Sequence, residues 1–369
     1  MEPSASENGV DLRVVMLPWT DGNPYQTLLK RAIEAAGARV TPATLVDDWL
    51  ARLEQVQADI LHLHWLHGLT VGRSIPRTLI KSGVFLRKLS LARRRVKGIV
   101  WTCHNLGNHH GWCLGLERTI VRQACHSFDR IIVHHEAAID DVVAYFKIPN
   151  LRDRFDVIPH GHYLDWYQGS LTKIEARRKL GIPDDEVVFL LFGQLRANKG
   201  IDVLLAAFKA ACQVTDAPIR LLLAGTADAE VTNLIKQAMA QEPRIDFREG
   251  FVADEMVQPL HAAADVAVLP FSSGLTSGSL ILAMGFGLPV IAAKFGEAGQ
   301  MADKLGGILI QSDSVLELKN AFQEMISARP DWAEMSQRNH QLNSQRDWTN
   351  IGQQTMECYR RASKQRQES

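Results

Sequence analysis

The sequence predicts an α/β protein built of two doubly wound, parallel-sheet domains, and three observations carry that prediction. Short apolar runs alternate with helical patterns along the whole chain. Glycine-bearing turns fall where an apolar run passes into a helical pattern. The length, 369 residues, suits two domains of about 150 to 200 residues each. Such alternation implies parallel strands with ligands at their carboxyl ends.

In order, residues 12–17 read as a strand, 25–36 as a helix stopped at Gly37, and 39–44 as a strand. Strands are expected at 58–65, 98–104 and 130–135, separated by helical patterns around 45–56, 74–95 and 116–127. The second half repeats the scheme, with strands at 187–192, 219–224, 245–247, 266–270, 290–293 and 308–310. A closing helix spans 348–361.

Composition narrows the class. The chain is 46% hydrophobic and 22% charged with zero formal net charge, an ordinary globular balance, and no nucleic-acid recognition motif is present. No charged segment followed by an apolar one opens the chain and no run of 18 apolar residues occurs, so neither secretion by that route nor a membrane span is expected. Cys103, Cys113, Cys125, Cys212 and Cys358 are an odd number without a Cys-x-x-Cys pair, which suggests reduced thiols in a cytoplasmic protein.

Two loops carry the chemistry. In the stretch from Phe271 to Val290, an apolar strand runs into a Ser/Gly/Thr turn and then into an apolar helix stopped by Gly287 and Pro289. The free N–H groups of a helix start, the close approach that Gly274 and Gly278 permit, and the hydroxyls of Thr276, Ser277 and Ser279 suit a diphosphate, although Ser and Thr are also ordinary helix caps. The loop Gly193-Gln-Leu-Arg-Ala-Asn-Lys-Gly200 also joins a strand to a helix, and it adds the charges of Arg196 and Lys199 to a second anion cradle. Together they point to one bound nucleoside diphosphate.

These residues resemble the GT-B glycosyltransferases. The 193–200 loop is similar to that superfamily's Gly-Arg-Leu…Lys-Gly loop, Val157-Ile-Pro-His-Gly161 to its interdomain Val-Ile-Pro-Asn-Gly, and residues 263–270 with 283–290 to its Ala-Asp-Val…Pro and Glu-Ala-Met-Ala-x-Gly-x-Pro-Val signatures. The resemblance implies two facing Rossmann-like domains with a C-terminal crossover helix. The expected division is a disordered tail (1–10), an N-terminal acceptor-binding domain (11–165, plus helix 347–363) and a C-terminal nucleotide-sugar-binding domain (166–346). A large retaining group of the superfamily carries two glutamates eight positions apart, but here Gly274 and Leu282 stand at the matching places, and Gln194 replaces the usual Arg. The Thr-Ser-Gly-Ser run, Asn23-Pro-Tyr-Gln26 and His104-Asn-Leu resemble a branch containing xanthan-type bacterial β-mannosyltransferases.

Eleven of thirteen histidines lie between His62 and His162. His62, His64 and His67 look ligand-rich, yet the Glu/His/Cys sets of familiar zinc sites are missing, so no metal is expected. His62, His126 and His134 read as packed or capping residues. By the resemblance, His104 touches the donor sugar or diphosphate, while His109 in the following loop is the candidate base that takes the acceptor proton, with His110, Glu117 and Asp21 as alternatives. Gly193, Gln194, Arg196, Lys199, Thr276, Ser277, Gly278, Ser279 and Glu255 are assigned to the donor, with Glu297 a lesser candidate for sugar hydroxyls. Asn23, Tyr25, His64 and His160 are assigned to the acceptor side or crevice.

Between Asp59 and Glu117 there is no acidic residue, while Arg73, Arg77, Lys81, Arg87, Lys88, Arg93, Arg94, Arg95 and Lys97 interleave with apolar residues. Residues 73–97 therefore read either as an amphipathic surface for an anionic membrane or as a solvated helix packed on the sheet. The expectation is a metal- and cofactor-independent, inverting hexosyltransferase that uses a nucleotide sugar, GDP-mannose by resemblance or else a UDP-sugar. Its acceptor would be a lipid-linked oligosaccharide of exopolysaccharide assembly, at the inner face of the membrane. The alternatives are a retaining GT-B enzyme and a noncatalytic nucleotide-sugar-binding subunit.

Overall fold

The computed structural model describes residues 12–108, 111–167, 169–294, 296–327 and 331–367. The expected tail, 1–10, lies outside them, as do His109 and His110. The chain forms two compact units: residues up to Gly161 together with those from Arg346 onward, and His162–Gln345. The division expected from the sequence falls at 165 and 346. Each unit holds a six-stranded sheet, parallel throughout, with helices on both sides, the doubly wound α/β arrangement the sequence predicts.

The first sheet contains β1 (Leu12–Leu17), β2 (Ala38–Pro42), β3 (Ile60–Leu63), β4 (Gly98–Thr102), β5 (Arg130–Val133) and β6 (Phe155–Val157), in the order β2-β1-β3-β4-β5-β6. Strands covered on both faces read as continuous apolar runs, and β3 and β4 are buried throughout. The helix Pro24–Ala35 starts as its sequence dictates: Asn23 accepts a hydrogen bond from Gln26 N at 3.1 Å, and Pro24 occupies the first turn, where its missing N–H costs nothing. The closing helix is longer than expected, Trp348–Gln367, and packs on Pro24–Ala35 and β4. Its approach is close: a Cβ on Gly352 would lie 2.4 Å from Ala32 O.

The second sheet contains β7 (Val187–Phe192), β8 (Ile219–Gly225), β9 (Ile245–Glu249), β10 (Val266–Leu269), β11 (Val290–Ala293) and β12 (Ile308–Ile310), in the order β12-β11-β10-β7-β8-β9. One continuous apolar core surrounds β7, β8 and β10. Residues β7 to β9 wind outward one way and β10 to β12 the other, so the strand order reverses between β7 and β10. The strands' carboxyl ends at such a reversal are the general ligand position of such sheets.

Candidate functional site

Both anion-cradle loops spring from the two strands that flank this reversal. After β7 the chain passes through Gly193 (φ +126°) and reaches Gly200 (φ +64°), which opens the helix Ile201–Cys212. Gly200 and, on the neighbouring strand, Gly225 leave no room for a side chain. A Cβ on Gly200 would sit 2.3 Å from Pro270 O, and one on Gly225, at the end of β8, 1.8 Å from Gly193 O. The loop after β10 ends at Ser277, whose hydroxyl caps the helix Gly278–Gly285 by accepting from Leu280 N at 3.2 Å.

The loops are tied together. Ser272 N donates to Asn198 O at 3.0 Å, Asn198 Nδ2 donates to Ser273 Oγ at 3.3 Å, and Ser279 Oγ donates to Phe192 O at 2.9 Å. Ser279 thus ties the second loop to β7 in addition to its assigned place at the helix start. Lys199 Nζ lies 3.6 Å from the centroid of Phe271, a cation–π contact that fixes the ammonium over the second loop. Burial first, and then the nearby Arg196 charge, lower the Lys199 pKa to about 8.

Arg196 Nη1 and Thr276 Oγ1 are buried and find no hydrogen-bond partner among the described residues. A buried polar atom left without a partner is costly, so these two, one on each of the loops that Asn198 ties together, suit an anion. Gln194 is exposed. Glu255 is exposed on the first turn of the helix Asp254–Ala263, after β9, two strands from β7. Glu297 is buried in the helix Gly296–Lys304, which begins against the second loop: a Cβ on Gly296 would lie 2.8 Å from Gly274 O. Leu282 is 5% exposed in an apolar helix. Sequence reasoning missed Phe271 and Asn198, since neither is chemically unusual and their contacts join loops distant in the chain.

In the first unit the histidines do converge. His64, His104, His134 and His160 follow β3, β4, β5 and β6, and Tyr25 packs against all four, with ring centroids 4.6 to 6.1 Å away. Their hydrogen bonds set the tautomers. His134 Nδ1 must donate to Ile158 O at 2.9 Å; its Nε2 then accepts from His104 Nδ1 at 3.4 Å, and His104 Nε2 accepts from His64 Nδ1 at 3.1 Å. His64 Nε2 is left as a buried lone pair with no hydrogen-bond partner among the described residues.

Desolvation holds the group neutral. It pushes His62 down to about 3 and His134 to about 4, and it drives His64, His104 and His160 well below the usual histidine range, helped by the neighbouring rings. His62 bonds Tyr359 Oη and Thr102 Oγ1, each at 2.8 Å, and so acts as the packed residue the sequence suggested. Both ring nitrogens of His104 are engaged by other histidines. Among the alternative bases, Glu117 Oε2 accepts from Asn108 N at 3.0 Å and Nδ2 at 2.7 Å, and Asp21 accepts from Trp19 Nε1 at 2.8 Å. Among the described residues no cluster of three or more His, Cys, Asp or Glu side chains is arranged to hold a metal.

The basic stretch forms one helix, Ile75–Ala92, and its apolar residues divide between two faces. Phe85 and Leu89 are buried, while Ile75, Leu79, Ile80 and Val84 are exposed beside exposed Arg73, Arg77, Lys81 and Arg87. Acids from outside the stretch neutralise part of it: Lys88 pairs with Asp48, Arg93 with Asp129, Arg95 with Glu54 and Lys97 with Asp59. No helix among the described residues is long and apolar enough to cross a membrane.

Known proteins share these features. The family model described as Glycosyl transferases group 1 matches residues 186–328, the span holding both anion loops. A GDP-mannose:glycolipid 4-beta-D-mannosyltransferase of Xanthomonas campestris pv. campestris is 29% identical over 91% of this chain and 87% of its own. A D-inositol 3-phosphate glycosyltransferase of Mycolicibacterium smegmatis is 26% identical over 67% of this chain and 55% of its own. Among solved structures, Anabaena HepE in complex with UDP and glucose superposes with a TM-score of 0.71 at 20% identity, covering 94% of this chain and 98% of that one. Sucrose-phosphate synthase from Thermosynechococcus elongatus gives 0.72 at 19% identity, covering 95% and 98%. At these identities the structures establish the fold.

Proposed function

We propose that this chain, a GT-B glycosyltransferase with a group 1 domain at residues 186–328, moves a hexosyl unit from a nucleotide sugar to a lipid-linked oligosaccharide. One observation carries the reading: Arg196 and Lys199 on one loop and Thr276 on the other stand on two loops tied together at the strand-order reversal of the second sheet, and Arg196 Nη1 and Thr276 Oγ1 are buried without a hydrogen-bond partner among the described residues. GDP-mannose as donor and a glycolipid as acceptor are favoured by the name of the Xanthomonas relative, which matches nearly the whole chain.

In the proposed inverting reaction the acceptor hydroxyl oxygen attacks the anomeric carbon and the bond to the diphosphate breaks, its electron pair leaving with the nucleotide. Arg196, Lys199 and the helix start at Gly278 stabilise that charge, the role a metal ion fills elsewhere. The acceptor proton passes to a base, for which His109 is proposed from its place in the sequence. An inverting course is favoured by Gly274 and Leu282, which leave the retaining relatives' carboxylate positions empty. The exposed apolar and basic face of Ile75–Ala92 is proposed to rest on an anionic membrane surface, where a lipid-linked acceptor would be presented.

The test is to incubate the protein with a panel of nucleotide sugars and a lipid-linked acceptor extract, and to determine donor and product anomer by NMR. Transfer from GDP-mannose with inversion supports the proposal. Transfer with retention favours the retaining alternative, and nucleotide-sugar binding without transfer or hydrolysis favours the noncatalytic subunit.

A further inference from the structure

The histidine chain of the first unit has a direction, and that direction leaves one demand open. Ile158 O can only accept, so His134, His104 and His64 each carry their proton on Nδ1. At the head of the chain stands the lone pair of His64 Nε2, fully buried and without a hydrogen-bond partner among the described residues. His64 is held in place: its N donates to Leu17 O at 2.8 Å, its O accepts from Trp101 Nε1 at 3.1 Å, and its ring centroid lies 4.3 Å from that of His62. An acceptor fixed in this way calls for a donor.

A cavity of about 10 Å³ borders His64, between the residues that follow β3 and β4 and the helix Leu114–Cys125. That is about the space one water molecule requires. Leu66, Trp101, Val121 and Phe146 form its apolar wall. Three of its polar residues are already engaged: Thr102 Oγ1 bonds His62 Nε2 at 2.8 Å, Asn105 Nδ2 donates to Gly107 O at 3.0 Å, and both nitrogens of His104 belong to the chain. Glu117 has capacity left. It is 3% exposed and its Oε2 accepts twice from Asn108, whereas a carboxylate offers about four acceptor sites.

The cavity thus presents two acceptors and room for one small molecule. An anion would meet the Glu117 charge. A metal ion would suit a lone pair and a carboxylate, but among the described residues no set of three His, Cys, Asp or Glu side chains is arranged to hold one. Water brings two O–H donors to two acceptors.

We infer that an internal water molecule binds in this cavity, donating one hydrogen bond to His64 Nε2 and the other to the Glu117 carboxylate. It joins the histidine chain, which spans the ends of β3, β4 and β5, to Glu117 and through Asn108 to the loop that follows β4. Glu117, an alternative base by sequence, is by this account a positioning residue whose acceptor sites serve Asn108 and the water. The inference stands on the first unit alone and does not depend on the transferase reading.

The experiment uses the full chain and reads no activity. A high-resolution crystal structure should show one peak of water density within about 2.7 to 3.2 Å of both His64 Nε2 and a Glu117 carboxylate oxygen. Histidine ¹⁵N spectra near neutral pH should show His64, His104 and His134 protonated at Nδ1, with cross-relaxation between the His64 ring protons and a long-lived water. Glu117→Gln, which keeps a polar second partner, should retain that water signal. Glu117→Leu should lose it and speed hydrogen exchange of the Asn108 amide at least tenfold. An empty cavity, density that touches only one of the two groups, His64 protonated at Nε2, or a water signal that survives Glu117→Leu would overturn the inference. So would a shift of His64 Nε2 on addition of one equivalent of zinc ion, which would make the site a cation site. Should Glu117→Leu fail to fold, the wild-type density and the His64 tautomer decide.

Discussion

Lys199 Nζ stands 3.6 Å from the ring centroid of Phe271, so the lysine of one anion loop rests on the first aromatic residue of the other. The contact fixes an ammonium in a partly desolvated place, and the pKa of about 8 follows from that burial and from Arg196. A depressed lysine pKa means that the folded protein gives up this proton before the unfolded chain does. Between about pH 8 and the usual lysine value of about 10.4, the unfolded state binds more protons, and this group's contribution to stability rises with pH. An anionic nucleotide favours the protonated form, so binding there takes up a proton. GDP or UDP affinity should therefore fall as pH rises through 8, with proton uptake visible by calorimetry in buffers of different ionisation enthalpy. Pairing with no pH dependence between 7 and 9 would place the diphosphate elsewhere.

Lys199→Ala should lower turnover by about 10² to 10³-fold while the protein stays folded, because it removes one fixed donor from a developing charge. Phe271→Leu keeps the ammonium and removes its platform. It should lower the Lys199 pKa further, since an apolar side chain remains while the ring's attraction for the ammonium is lost, and move the alkaline limb of the nucleotide-affinity profile downward.

Gly225→Ala should destabilise the second unit by more than about 2 kcal/mol, since the new Cβ would lie 1.8 Å from Gly193 O at a φ of +143°. Gly83→Ala, on an open part of the Ile75–Ala92 helix, is the contrast: nothing lies within 4 Å of its Cβ, and the change should stabilise slightly. Equal melting temperatures for the two variants would mean that the turn after β7 is placed wrongly.

The neutral histidine cluster predicts acid sensitivity. A histidine whose folded pKa is depressed lets the unfolded chain bind protons first, so its contribution to stability is complete above about pH 6.5 and is lost as pH falls toward the folded value of about 3 to 4. For His62 alone the loss by pH 5 is of order 2 kcal/mol. Chemical denaturation from pH 7.5 to 5 should show the loss, and His62→Gln should flatten the slope. An unchanged slope in that variant would mean that His62 is not buried neutral.

On the Ile75–Ala92 helix, Leu79→Glu and Ile80→Glu should leave the melting temperature within about a degree, because both side chains are exposed. The same changes should weaken co-sedimentation with phosphatidylglycerol vesicles. Binding that is indifferent to lipid charge, or unaffected by these substitutions, would remove the membrane proposal.

What the chain reveals of itself follows from how its signals are spaced. β7, β11 and β12 were legible to the residue because each is an apolar run bounded by turn residues. β3, β4 and β5 end two residues earlier than expected, since the apolar and histidine residues that follow them, buried or half-buried, extend the apolar signal past the end of the ladder. β6 has no counterpart among the expected strands; at three residues, Phe155–Val157 is too short for a periodic signal. The anion loops were readable from glycine and charge. The Asn198–Ser273 tie, the histidine tautomer chain and the His64–Glu117 cavity join residues distant in the chain, and only the fold brings them together.

The most direct test is calorimetric titration of GDP and UDP into the wild-type chain and into Arg196→Ala and Lys199→Ala. The account predicts binding of at least one nucleotide by the wild type, weakened tenfold or more in each variant with the fold intact. Affinities that match across all three proteins would contradict it.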